Sequence, residues 1–247
     1  FCILYFLPFT ISRNKDWKDI FFLIRADIGD MRNSFQGNRI AASYVLYNAV
    51  NNPDTSSRKL LIKQGLLYSL NARNLYSKNS YVNELVGQAY YNLDNVSSAK
   101  TIFLDNLQTN DTSLISIELL GNIYFEKEQK FDSAAYYYKK IITIRPSYET
   151  AYFKYLNAGY KAGNKSQVFN YFSDKYSKKL LGYIPAQCLA YYYFFEKDSS
   201  VGMQLFKESF KLGFVNPGAA KFTKDYFLRH NAKQDAYDMN QYIPNGL

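Results

Sequence analysis

His230 is the only imidazole in the chain, and its neighbours Arg229 and Asn231 give it no second histidine or cysteine cluster with which to hold a metal ion. It reads as a surface histidine. Cys2 and Cys188 are the only thiols, too few for a disulfide framework, and they leave the redox compartment open. Nucleophilic catalysis needs a serine or cysteine with its base, and phosphate chemistry needs a glycine-rich loop; neither pattern occurs. The carboxylates are scattered one or two per helical stretch. The expectation is a chain with no catalytic residue, no metal, no cofactor and no small-molecule substrate. The formal charge of +9 raises nucleic acid as a partner, since clustered Lys and Arg release counterions from phosphates. The cations here are short pairs, Lys139-Lys140, Lys178-Lys179 and Lys161 to Lys165, with no long basic run. A solvated face or attraction to anionic headgroups accounts for them at least as well, so nucleic acid is disfavoured.

The elements that must carry these side chains repeat. A small or apolar position recurs at Gly87, Gly121, Leu156 and Ala190, at steps of 34, 35 and 34, and a second at Gly65, Ala99, Ala134, Val168 and Gly202. An aromatic follows the first column by three residues (Tyr90, Tyr124, Tyr193) and another follows the second by four (Phe103, Tyr138, Phe172, Phe206). Such a period predicts an array of helix pairs. Small residues let two helix axes approach, and aromatics one turn away fill the remaining space. The 25 tyrosines suit helices that touch neighbours on two sides and water or a partner on a third, so most read as repeat filler.

These columns resemble the tetratricopeptide repeat, TPR. The best copy runs Ile117, Leu120-Gly121, Tyr124, Ala134, Tyr138, Ile141 and Pro146, with one extra residue expected in the turn around Gln129-Lys130. Pro146 has no amide proton and ends the second helix. The resemblance implies an all-α, right-handed αα-superhelix of five to six hairpins over residues 37–247. Better repeats are expected near 80–113, 114–148 and 149–182, a degenerate one over 183–216, and a last pair over 217–243 bracketed by Pro217 and Pro244. In the first repeat, Ala41, Ala42, Tyr44, Leu46 and Ala49 form a packed face, Asn51 to Ser57 reads as an inserted loop, and the second helix is expected from about Arg58 to Tyr76. TPR arrays bind partners along their first helices. That transfers a concave groove onto Asn122, Phe125, Lys154, Asn157, Tyr160, Lys161, Tyr191 and Phe194. Asparagine and lysine there could hold a peptide's amides and a carboxylate, with the rings supplying apolar contact. The paired Lys and Asn of the carboxylate-clamp TPR are not matched, since Glu84 and Gln88 stand in those places. The implied function is a protein- or peptide-binding scaffold.

Residues 1–12 open with nine uninterrupted apolar or aromatic residues and turn abruptly polar at Ser12. Nine cannot cross a bilayer, which takes roughly 20, and no charged segment precedes them as in a secretory signal. They are expected to be the end of a membrane helix, with a buried cap on the first repeat as the alternative. Residues 13–36 are expected to form a juxtamembrane linker helix, with Trp17, Arg13 and Lys15 at the membrane interface. The Arg-Asn-x-Asp-Trp-Lys-Asp element of 13–19 resembles the junction of transmembrane-and-TPR proteins similar to protein O-mannosyltransferases. It implies membrane association with the array on the non-cytoplasmic side. As an alternative function it implies an accessory domain of a membrane glycosyltransferase that recruits acceptor proteins. Arg13, Lys15 and Lys18 by themselves favour the cytoplasmic face, which stays open as the alternative location.

Overall fold

The structure, a computed structural model, describes residues 33–214 and 216–243. Among them every regular element is helical. The chain divides into two compact units at Ile123/Tyr124.

The first unit holds α1 (Phe35–Val50), α2 (Thr55–Leu75), α3 (Ser80–Asn92), α4 (Val96–Thr109) and α5 (Leu114–Asn122). Consecutive helices pack, and α3 also touches α1 and α5, as stacked hairpins require. Side chains start all five of these helices: Ser34, Asp54, Asn79, Asn95 and Ser113 each accept a first-turn amide hydrogen bond. Asp54 corrects the expected loop. Its carboxylate takes the amides of Ser56 and Ser57, so Thr55 to Ser57 are the first turn of α2 and only a short link separates the helices. Two apolar clusters form the interior, one around Ala42, Leu46, Ile62 and Leu85, the other around Ala72, Val82, Val86 and Ile102.

The small columns do what their spacing predicts. A Cβ on Gly65 would lie 2.6 Å from the Leu46 side chain, and one on Gly87 would lie 2.3 Å from the fully buried Phe103 ring. Phe103, Tyr138, Phe172 and Phe206 are all buried, whereas Tyr90, Tyr124 and Tyr193 are half-buried.

The second unit holds α6 (Phe131–Ile144), α7 (Glu149–Lys161), α8 (Lys165–Ser177), α9 (Ile184–Glu196), α10 (Ser199–Lys211), α11 (Pro217–Arg229) and α12 (Lys233–Asp238). Neighbours again pack in sequence, and α7 touches α9. Helix α6 stops one residue before Arg145-Pro146, and the Tyr152 hydroxyl donates to the Pro146 carbonyl at 2.9 Å. The extra residue expected at Gln129-Lys130 is absorbed earlier, in a π-helical turn over Ile123–Lys127. Other hairpins close with bonds spanning five residues, from the Asn95 amide to the Tyr90 carbonyl and from Asn164 to Gly159; here Lys130 reaches Tyr124, spanning six. In the hairpin of α7 and α8 the columns exchange roles. Gly159, one turn beyond Leu156, admits Val168 at 2.2 Å from where its Cβ would be.

The expected interface residues Trp17, Arg13 and Lys15, the apolar residues 1–12 and Pro244 lie outside the described residues. No helix among the described residues is long and apolar enough to cross a membrane.

Candidate functional site

Helices α7 and α9 open successive hairpins, and the surface between them is hollow. Phe153, Leu156, Asn157 and Tyr160 of α7 and Tyr191 of α9 line a pocket of about 440 Å³. The α7 residues fall three and four apart, so they form one stripe on the helix. Leu156 is buried at its base, Phe153 and Tyr160 are half-buried, and Asn157 and Tyr191 are exposed.

The polar groups of this stripe have little to occupy them inside the protein. Among the described residues the buried Tyr160 hydroxyl has no hydrogen-bond partner, although its ring is engaged by Tyr192 edge-on at 6.1 Å and by the Lys165 ammonium at 5.7 Å. Burial, with the Glu196 carboxylate and the Tyr192 and Cys188 side chains adding to it, pushes the phenol well above its ordinary range. It therefore stays a neutral donor and acceptor at any physiological pH. Lys161 lies one turn beyond Asn157, exposed, with its ammonium 4.7 Å from the Phe125 ring and 5.3 Å from Phe131. Those rings hold a cation in place without neutralising it.

The structure brings together Asn157, Tyr160 and Tyr191, with Lys161 on the adjoining turn. Lys154 shares their helix but leans over the Tyr138 ring, at 5.6 Å. Phe125 acts as a platform under Lys161 and packs edge-on against Phe131 at 5.4 Å. Phe194 faces Phe222 and Tyr226 of α11, at 6.3 and 6.1 Å, and does not line the pocket. Asn122 belongs to the first unit, half-buried at the end of α5. Phe153 and Leu156 escaped the transferred pattern, yet Phe153 lies four residues before Asn157 and Leu156 four before Tyr160, the spacing of one stripe. Among the described residues no group of three or more His, Cys, Asp or Glu could hold a metal ion. Cys188 is buried, and burial pushes its thiol up.

Glu84 and Gln88 do not form a clamp either. Glu84 is buried in a polar network: the Ser113 hydroxyl donates to it at 2.6 Å, and the Asn106 amide donates to Ser116 at 2.9 Å and Ser113 at 3.4 Å. This network fastens α3 and α4 to the start of α5.

No family model matches the chain, and no curated protein does. Solved structures do. Pseudomonas aeruginosa pilF is similar at 10% identity over 82% of this chain and 90% of that one, with a TM-score of 0.53. A MamA RS-1 ArsTM double mutant is similar at 12% identity over 71% and 94%, TM-score 0.52. The human IFIT1 dimer with m7Gppp-AAAA matches at 15% identity over 85% of this chain and 49% of that chain, TM-score 0.53. None of these gives support to an O-mannosyltransferase-like N-terminal junction. The likeness is one of fold, and with the stacked hairpins and their 34-residue columns it makes this chain an all-α, TPR-like solenoid.

Proposed function

We propose that this chain is a protein- or peptide-binding module that works by docking, with no reaction of its own. The observation that carries this reading is the α7–α9 pocket, where Asn157 and Tyr160 stand beside the apolar Phe153 and Leu156, with Lys161 exposed one turn beyond Asn157. A carboxamide both donates to and accepts from a peptide unit, an ammonium pairs with a carboxylate, and ring faces take an apolar side chain. The excess of positive charge in the second unit supports a partner segment that carries an acidic residue. The remaining transferred residues of the second unit, Phe125, Lys154 and Phe194, stay in the proposal as flank, and Asn122 is proposed as a partner contact of the first unit's own surface. Asn157→Ala combined with Lys161→Ala tests it by pull-down from the source organism's extract. The main captured protein should be lost while the helical circular dichroism is kept; an unchanged capture with an intact fold refutes the site.

Membrane association through the apolar residues 1–9 and Arg13, Lys15 and Trp17, with the array on the non-cytoplasmic side, is proposed from the sequence of that stretch. Flotation of the full chain with phosphatidylglycerol-containing vesicles is expected, and protein left at the bottom of the gradient overturns the attachment. No observation in the fold or the comparisons favours the glycosyltransferase-accessory alternative.

A further inference from the structure

Helix α2 is apolar on two sides. Its inner face, with Ile62, Gly65, Ser69 and Ala72, is buried against its neighbours. On the outer side Leu60, Leu67 and Leu75 stand 68%, 56% and 48% exposed. Steps of seven and eight residues keep them on one side of the helix, over a run of about 22 Å. Single exposed leucines are ordinary on a protein surface, but three in line on one helix are a patch.

The charge around this patch has one sign. Between Thr55 and Asn83 there is no aspartate or glutamate, while Arg58, Lys59, Lys63, Arg73 and Lys78 lie in that stretch. Arg58 is spent on the Asn52 carbonyl and Arg73 on the Asn83 carboxamide. Lys59, Lys63 and Lys78 are exposed and, among the described residues, have no hydrogen-bond or ion-pair partner. The first two flank Leu60. The described helices packed on α2 bring no free carboxylate to it: α1 has none, and Glu84 of α3 is buried on Ser113. Asp54 is held by the first amides of α2. Beyond α3 the sign reverses, with Asp94, Asp105, Asp111 and Glu118 against Lys100 alone up to Ile123.

Leucines set beside lysines suit a boundary that is apolar on one side and anionic on the other. A protein partner would have to offer a hollow for each leucine, whereas acyl chains part around them. Lysine stems can lie along the apolar layer while their ammonium groups reach the phosphates. No residue of α2 lines the groove between α1 and α3, whose walls include Ser43, Tyr47, Tyr81 and Gln88, so this face is no part of that groove. We infer that α2 lies on the surface of a bilayer rich in anionic lipid, with Leu60, Leu67 and Leu75 among the acyl chains and Lys59 and Lys63 at the phosphates. The reversal of charge along the unit orients it: the α1–α2 hairpin is drawn to the membrane, and α4 and α5 are repelled. This contact needs neither the attachment proposed for residues 1–9 nor the α7–α9 pocket.

The test reads the position of α2 directly. In the full chain, with Cys2→Ser so that the buried Cys188 is the only other thiol, Leu67→Cys carries a nitrobenzoxadiazole label, whose emission brightens and shifts to the blue out of water. Vesicles containing phosphatidylglycerol should produce that change and doxyl-labelled lipid should quench it, whereas vesicles of phosphatidylcholine alone should leave it in water. Leu60→Cys should respond in the same way, and Tyr136→Cys on α6 should not respond. Lys59→Glu with Lys63→Glu, folded by circular dichroism, should weaken the response at position 67 about tenfold or more, since each cation near such a surface counts for about fivefold. A label at 67 that stays in water with phosphatidylglycerol would overturn the inference; if the chain still floats with those vesicles, attachment through residues 1–9 stands without it. An equal response to phosphatidylcholine, or a wild-type response in the double glutamate variant, would overturn it too. A blue shift without lipid that grows with protein concentration would assign the face to a second copy of the chain, with the same result.

Discussion

Glu84 and Lys207 are the two buried ionisable groups on which pH acts most plainly. Burial raises the Glu84 pKa above its ordinary value of 4.5, and the Ser113 hydrogen bond only partly offsets this. A folded value above the unfolded one means that its contribution is full below pH 4.5 and is lost as pH rises through the raised value. Glu84→Gln should remove that loss. Urea unfolding at acid and neutral pH is expected to show the variant at least as stable as wild type at pH 7, with a flatter pH dependence; an unchanged slope would contradict it. The carboxylates that Lys207 holds work the other way. Lys207 is 7% exposed, and its ammonium donates at 2.6 Å to both Asp235 and Asp238, joining α10 to α12. Burial presses its pKa down, and the two carboxylates more than offset this, leaving it raised. Hydrogen bonds from Lys207 hold both aspartates below 3.8. Their stabilisation is therefore present above that value and lost as pH falls through the depressed values. Lys207→Met should cost about 2 kcal/mol near neutrality, and denaturant curves should show the gap to wild type closing under strong acid.

At the scale of elements, the small columns set how closely helices approach, and substitution there has a rank order. A Cβ on Gly202 would meet the α9 main chain, 2.6 Å from the Phe194 nitrogen, whereas one on Gly65 meets mainly the end of the Leu46 side chain. Alanine gains about 1 kcal/mol over glycine in a helix, while overpacking costs roughly 1–3 kcal/mol and more where backbone must move. Gly202→Ala should therefore destabilise, and by more than Gly65→Ala, in thermal or urea unfolding; the reverse order would contradict the packing. The repeat period was legible because most positions of each column keep one size class of residue across hairpins. Where it failed, the cause is local. An inserted residue changes the count between Gly121 and Ala134 without saying which turn widens, and the π turn at Ile123–Lys127 took it. Thr55-Ser56-Ser57 is polar enough to pass for a loop, and only the Asp54 carboxylate makes it a helix start. Gly159 in an aromatic column and Leu156 in a small one compensate each other, which no single column reveals.

For the whole molecule, two compact units each present a groove on first helices, and lysine flanks the one in the second unit. The transferred TPR pattern found the second because asparagine and lysine announce themselves as hydrogen-bonding groups. It missed the first because tyrosine and valine look like filler until their exposure is known. Phe194 follows its column and packs toward α11 against Phe222 and Tyr226. Docking without chemistry is the claim that joins these features, and it is most directly tested by photo-crosslinking. Benzophenone placed at Asn157 through a cysteine variant, Asn157→Cys, is compared with the same label at the exposed Tyr136 of α6, Tyr136→Cys, in the source organism's extract. The account predicts a discrete protein adduct from position 157 that is absent from position 136 and is lost when Lys161→Ala is added; identical adduct patterns from both positions, or none from 157, would contradict it.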